Sequence, residues 1–183
     1  PLAVTTGGGI FNKRTLRRDS ESNQALLAAT ETLMRILRQV RGVAHTEFIQ
    51  AEADGRFYFL ETAARVGGAN IDRLVEAATG VVLWQEAARI DLANARGATY
   101  QPPTARYDYA GLIICLAQQE QPDLSAYDDP EIVWRLPKKY HAGLLLAGGD
   151  YGRIKQLISQ YNKRFARDFL TSAPPQSQVR TQI

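Results

Sequence analysis

The chain has 183 residues, 45% of them hydrophobic and 22% charged, with a formal net charge of +3. These values belong to an ordinary globular protein, one good-sized domain or two small ones, and no apolar run approaches the length of a membrane helix. The charge suits an anionic small substrate such as a nucleotide and asks for neither nucleic acid nor a membrane surface.

The first residues read as a short apolar run, Leu2-Ala3-Val4, followed by Gly7-Gly8-Gly9. Three glycines can cradle a phosphate, but the lysine and spacing of a P-loop are missing, so a turn is the simpler expectation. Lys13, Arg14, Arg17 and Arg18 then make a basic stretch, expected as a solvated loop or as partners for phosphate or carboxylate groups. Asp19 to Ser22 supply cap candidates and early acidic charge for a helix over 22–40. Its apolar side would be Leu26, Ala29, Leu33, Ile36, Leu37 and Val40, laid on a sheet, with Gly42 as the stop.

A hairpin follows. Two apolar runs flank Asp54-Gly55, a strong turn signal. Each strand carries one carboxylate at a position where the pattern predicts burial, Glu47 and Glu61. Side chains alternate along a strand, so His45, Glu47 and Ile49 share one face. Phe57, Phe59, Glu61, Ala63 and Arg65 would share one face of the partner strand. A two-residue loop would send the two glutamates to opposite faces. A three-residue loop, Ala53-Asp54-Gly55 with Gly55 at positive φ, sets Glu47 directly against Glu61. Their Cβ atoms would then be about 5 Å apart. Like charges at that spacing repel unless a cation lies between them, and oxygen-rich pairs of this kind suit Mg²⁺ shared with substrate phosphates.

Gly67-Gly68 lets the chain turn into a helix over 70–78, ended by Gly80, whose start is a candidate anion site. A helix over 83–94 follows, with Trp84 expected in the core. Residues 97–103 read as a linker. Beyond it come strands over 107–117, 132–136 and 141–147, then a helix over 152–169. Residues 172–183 read as a disordered tail. Cys115, the only cysteine, sits in an apolar run and cannot form an internal disulfide, which fits a reducing, cytoplasmic setting. His45 can hydrogen-bond Glu47, touch substrate or be satisfied locally. His141 reads as structural. Neither histidine has a partner at zinc-ligand spacing.

These residues resemble a known family. Glu47-Phe48, then Phe59-Leu60-Glu61-Thr62-Ala63-Ala64-Arg65, Gly67-Gly68 and Ala78-Thr79-Gly80 are similar to the ATP-grasp superfamily. Within it they look like the carboxylate–amine or thiol ligases and the biotin-carboxylase-like members. The usual second motif is Glu-x-Asn-x-Arg, and here alanine, Ala63, stands in the asparagine position. The resemblance implies an α+β fold. Residues 1–98 would be the C-terminal subdomain of an ATP-grasp domain, an antiparallel sheet with packed helices. Residues 104–171 would be a small α+β lobe.

It also implies an enzyme that spends ATP to activate a small carboxylate as an acyl phosphate for attack by an amine or similar nucleophile. Glu47 and Glu61 would hold Mg²⁺ or Mn²⁺. Glu47, Glu61, Arg65, Gly67 and Gly68 would face the nucleotide, and Arg65 would be catalytic. The chain opens at Pro1 without an initiator methionine, which reads as a cut from a longer polypeptide. The partner expected is therefore the preceding subdomain of the same protein, besides a second copy of the chain. The other reading, which Ala63 favours, is a non-catalytic nucleotide-binding or interaction module that keeps the fold.

Overall fold

The computed structural model describes residues 8–171. The expected apolar run at Leu2-Ala3-Val4 and the expected tail over 172–183 lie outside the described residues. The elements are β1 Phe11–Arg14, α1 Glu21–Ile36, β2 His45–Gln50, β3 Phe57–Ala63, α2 Ile71–Thr79, α3 Leu83–Ala95, β4 Tyr109–Leu116, β5 Ile132–Arg135, β6 His141–Gly148 and α4 Tyr151–Asp168. They form a four-stranded sheet in the order β1-β4-β6-β5 and a separate antiparallel hairpin of β2 and β3. The expected α+β class, antiparallel sheet with packed helices, is the one observed.

The packing divides into two compact units. One holds Gly111–Leu146 with residues 8–13 and 152–171, and the other holds Arg14–Ala110 with Ala147–Tyr151.

The first unit contains the better-filled core. Leu112, Ile113, Leu144, Leu146, Ile154 and Leu157 are fully buried. The run Leu112 to Cys115 is continuous rather than alternating, as expected of a strand covered on both faces. Helix α4 comes so close to β4 that a Cβ on Gly111 would lie 2.7 Å from Ile158 Cγ1. Tyr127 lies among Tyr161, Phe165 and Phe169, with ring centroids 5.1, 5.3 and 5.8 Å away. Cys115 is buried, and that burial pushes its thiol up to about 11, so it is an inert small hydrophobe.

Around this core runs a charged network. Arg153 donates to Glu131 Oε1 at 2.9 Å and to Asp129 Oδ1 at 2.6 Å. Asp129 also accepts from the Tyr161 hydroxyl, and Asp168 accepts from the Tyr127 hydroxyl at 2.9 Å. Asp129 is held below the usual carboxylate range by the Tyr161 bond first and by Arg153 second. Glu131 is held low by Arg153, and Asp168 by Arg167 and then Tyr127. A carboxylate held low in the folded state stabilises the fold above its unfolded value and stops doing so as pH falls through its folded value. The urea midpoint should therefore fall as pH drops below about 4.5, near the unfolded Glu and Asp values, and stay level above that. Arg153→Met should flatten the acid limb, and an equal slope in parent and variant would contradict this account.

The second unit departs further from the sequence reading. Helix α1 has Ser20 as N-cap, whose side chain accepts from the Asn23 N–H, as the cap residues suggest. It ends at Ile36 rather than near Val40. Arg38 takes φ +53, the Arg38 N–H bonds Arg35 O at 3.2 Å, and the Gln39 N–H bonds Met34 O at 3.0 Å. That pair of bonds is a Schellman stop, usually built on glycine and here on arginine. No residue of α1 is buried, and Val40 is 86% exposed. The expected helix laid on a sheet is thus an amphipathic helix that is only partly covered, with Leu26, Ala29 and Leu33 half-buried and Ile36, Leu37 and Val40 exposed. Trp84 is also not core. It is 60% exposed, with its indole N–H on Asp72 Oδ2 at 3.2 Å.

Helices α2 and α3 form as expected, and Gly80 ends α2 at φ +75. The linker by composition is tied down. The Tyr100 hydroxyl donates to Glu86 at 2.6 Å, and Glu86 is buried on α3 with Arg89 at 3.1 Å. The Tyr100 bond, with Arg89 behind it, keeps the Glu86 carboxyl below its ordinary range. Downstream, the Arg106 and Asp108 N–H groups bond the carbonyls of Thr79 and Ala78 at the end of α2.

Candidate functional site

The hairpin β2–β3 pairs Glu47 with Glu61, as the sequence reading expects, by a different route. Its inner register is Gln50 with Phe57, Ile49 with Tyr58 and Phe48 with Phe59. That leaves a four-residue loop, Glu52 to Gly55, where three residues were expected. The loop closes with Ala51 N–H on Arg56 O at 2.9 Å and Gly55 N–H on Ala51 O at 2.9 Å. Gly55 sits at φ +68, and the Asp54 carboxylate accepts from the Arg56 N–H and the Tyr58 hydroxyl. The register then shifts between Glu47 and Phe48, which leaves Leu60 as an extra residue in β3. The bulge restores the glutamates to opposition.

The bulge also changes the faces. Directly paired residues share a face, so Glu47, Glu61, His45 and Ala63 lie on one side. Phe48 and Phe59 lie on the other, ring centroids 6.1 Å apart and edge to face, with the Thr46 and Thr62 hydroxyls 2.8 Å apart. Phe59 therefore does not share the face of Glu61. The expectation of burial also needs correcting. Glu47 is 40% exposed at its side chain, Glu61 is exposed, and Ile49, Tyr58, Phe59 and Leu60 are each about half exposed.

His45 is the histidine that meets the site. Its Nε2 lies 3.1 Å from Glu47 Oε1, and its own side chain is 20% exposed. A carboxylate only accepts, so Nε2 carries the proton. His141, by contrast, donates from Nδ1 to Lys139 O at 2.9 Å, the structural role expected of it.

Arg65 lies beyond the end of β3. Its N–H bonds Ala63 O at 2.9 Å, so the chain has already turned there and strand alternation does not carry it to the face of Glu61. Its guanidinium is exposed and donates to the Val66 carbonyl at 3.0 Å. Gly67 is buried, and a Cβ on it would lie 2.8 Å from His45 Nδ1. Gly68 faces open space. The left-handed residues of this loop are Ala69 and Asn70, at φ +54 and +60, so the glycine pair is not where positive φ is required. Asn70 is the N-cap of α2 and its side chain makes no capping bond.

The basic stretch is engaged within the chain. Arg17 makes a two-pronged pair with Asp19, at 2.7 and 2.8 Å. Arg14 donates to the Tyr151 hydroxyl and lies over that ring. Arg18 donates to Asp108 O at 2.6 Å and stacks on Tyr107 and Tyr109. Its Nε is buried without a hydrogen-bond partner. Lys13 lies over Phe11.

Among the described residues no group of three or more His, Cys, Asp or Glu is arranged to hold a metal ion. The oxygen donors that the hairpin brings together are those of the paired Glu47 and Glu61, and two carboxylates are a set of the kind that holds Mg²⁺ jointly with substrate phosphates. A cleft of about 400 Å³ opens beside the start of β2, with Met34, Val40, His45 and Thr46 in its walls. No helix among the described residues is long and apolar enough to cross a membrane.

No family profile matches the chain, and no curated protein matches it. Among solved structures, the crystal structure of L-amino acid ligase from Bacillus licheniformis is similar, with a TM-score of 0.63 and 16% identity. The match covers 91% of this chain and 44% of that one, so the chain spans less than half the length of the similar structure. At that identity the likeness is one of fold alone, an α+β architecture shared with part of that structure.

Proposed function

We propose that the chain is the metal- and nucleotide-facing part of an ATP-dependent ligase of the ATP-grasp kind. The observation that carries the reading is the opposition of Glu47 and Glu61 across β2–β3. Two like charges placed against each other in a ladder are destabilising unless something offsets them. The likeness in fold to an L-amino acid ligase supports the same reading from an independent side.

In this reading Glu47 and Glu61 would hold Mg²⁺ or Mn²⁺, which when bound would offset the charge of the transferring phosphoryl group. Arg65, exposed and carrying a planar fork of donors, would grip the carboxylate or phosphate and act as the catalytic cation. Gly67 and Gly68 would let the backbone approach the nucleotide. The reaction would make an acyl phosphate from a small carboxylate and pass the acyl group to an amine. Amino acids would serve as both acid and amine, by analogy with the similar structure. Residues 1–98 would work with a preceding subdomain of the same protein, and such a neighbour would cover the exposed Ile36, Leu37 and Val40 at the end of α1 and Ile49, Tyr58, Phe59 and Leu60 of the hairpin. Residues 104–171 would be the accessory lobe. We place the enzyme in the cytoplasm on the strength of the single cysteine.

The second reading, a non-catalytic module, draws on Ala63, which brings no ligand to the face it shares with Glu61. The two are separated by assaying the protein that carries this chain for ADP formation. The ligase reading expects ADP release that requires both Mg²⁺ and a mixture of free amino acids. ADP release absent under every such mixture, in a protein that still binds ATP, would favour the module.

A further inference from the structure

His45 stands in a relation to the paired carboxylates that their own spacing does not require. Across the ladder it is paired with Ala63. On one edge its Nε2 lies 3.1 Å from Glu47 Oε1. On the other edge the ring fills the space a side chain at 67 would need. A Cβ there would lie 2.8 Å from Nδ1 and 3.3 Å from both Cε1 and Cγ. The ring is thus held between a buried glycine and a carboxylate, and it is less exposed than the carboxylate itself, 20% against 40%. A half-exposed glutamate on a strand has several open rotamers, and freezing one costs entropy each time a ligand binds. A fixed donor on one of its oxygens removes that freedom beforehand and leaves the other oxygen for the shared face with Glu61.

We infer that His45 is a positioning residue of the carboxylate pair, fixing Glu47 through Nε2, and that Gly67 is glycine because the His45 ring occupies its Cβ space. The inference rests on the reading of Glu47 and Glu61 as a cation-facing pair. It assigns no ligand role to the histidine. Partners of this kind, bonded to a ligand rather than to the metal, typically govern metal affinity by one to two orders of magnitude.

The test is a titration of the 183-residue chain with Mn²⁺ alone, followed by paramagnetic broadening of the amide signals of residues 45–49 and 59–63. Glu61→Gln should weaken the broadening most. His45→Ala should weaken Mn²⁺ binding about tenfold. His45→Gln, which keeps a donor, should recover most of that loss. Gly67→Ala should weaken it to the same degree as His45→Ala, by driving the ring off Glu47, with the signals of the other compact unit unchanged. A purely structural histidine would alter the thermal midpoint without this pattern of loss and recovery. His45→Ala binding Mn²⁺ like the parent while Glu61→Gln does not would overturn the role of His45 and leave the carboxylate pair standing. Glu61→Gln binding like the parent, or a parent with no broadening at these residues, would overturn the pair and the inference with it.

Discussion

Glu61→Gln, made in the protein that carries this chain, is expected to fold normally and to lose about 10²-fold in turnover, or about 2.7 kcal/mol of transition-state stabilisation. Glutamine keeps the shape and the capacity to accept a hydrogen bond and deletes only the charge. Glu61 is exposed and lies outside the packed core, so the loss should not come from unfolding. The deficit should shrink as Mg²⁺ is raised, because a weakened cation site is filled by mass action. Glu76→Gln is the control. Glu76 is exposed on α2, and the variant should match the parent. Ala63→Asn adds an amide on the shared face and should preserve or tighten the Mg²⁺ dependence. Phosphate release measured against Mg²⁺ for the three variants decides the matter. If Glu61→Gln follows the parent across the whole range, the opposed glutamates do not bind the cation.

Phe165→Ala should have the largest effect on stability, a loss of about 3–5 kcal/mol. Phe165 is 0% exposed, and its ring lies 5.3 Å from both Tyr127 and Phe169, edge to face with each. Truncation removes the ring and leaves a cavity among Tyr127, Phe169 and the α4 backbone, in a close-packed interior that relaxes only in part. Tyr127 would also lose one of the rings that position its hydroxyl on Asp168. Chemical denaturation followed by tyrosine fluorescence reads the change. A loss below about 1 kcal/mol would mean that the cluster repacks freely, against what close-packed interiors allow. The hairpin residues lie in the other compact unit, so the amide signals of residues 45–49 serve as an internal check that they remain folded.

The two cases differ in how far the sequence anticipates them. The core of the first unit is legible because its signals are local. Continuous apolar runs mark β4 and β6, helical spacing marks α4, and prolines separate them. The hairpin is legible from Asp54-Gly55, and the pairing of Glu47 with Glu61 is met, but through a longer loop and a bulge that parity alone does not show. Strand β1 is not legible, because Phe11-Asn12-Lys13-Arg14 is mostly polar and reads as a basic loop. It forms an edge strand, where solvated side chains are the rule. The stop of α1 is missed because Arg38 takes a backbone conformation that favours glycine, and Gly42 looked like the better candidate. Trp84 is misread because an aromatic at helical spacing does not reveal which neighbours its helix will have. The place of Arg65 fails for a local reason, since the strand ends two residues before it. The contact of His45 with Gly67 joins residues 22 positions apart, and only the return of the chain after β3 brings them together.

Leu60 bears on how such sites can be found in other chains. The four-residue loop alone would set Glu47 against residue 60, and the bulge moves the match to Glu61. Removing Leu60 would therefore leave the carboxylates facing each other, now thirteen positions apart. Shortening the loop by one residue and keeping the bulge would do the same. The number of residues between the two acids is accordingly free to drift, so long as any odd residue is absorbed by a kink in one strand. A search that demands one fixed interval between the glutamates would pass over chains with the same geometry. A search that lets the interval vary, and asks instead for an arginine and two glycines at set distances after the second glutamate, would keep them.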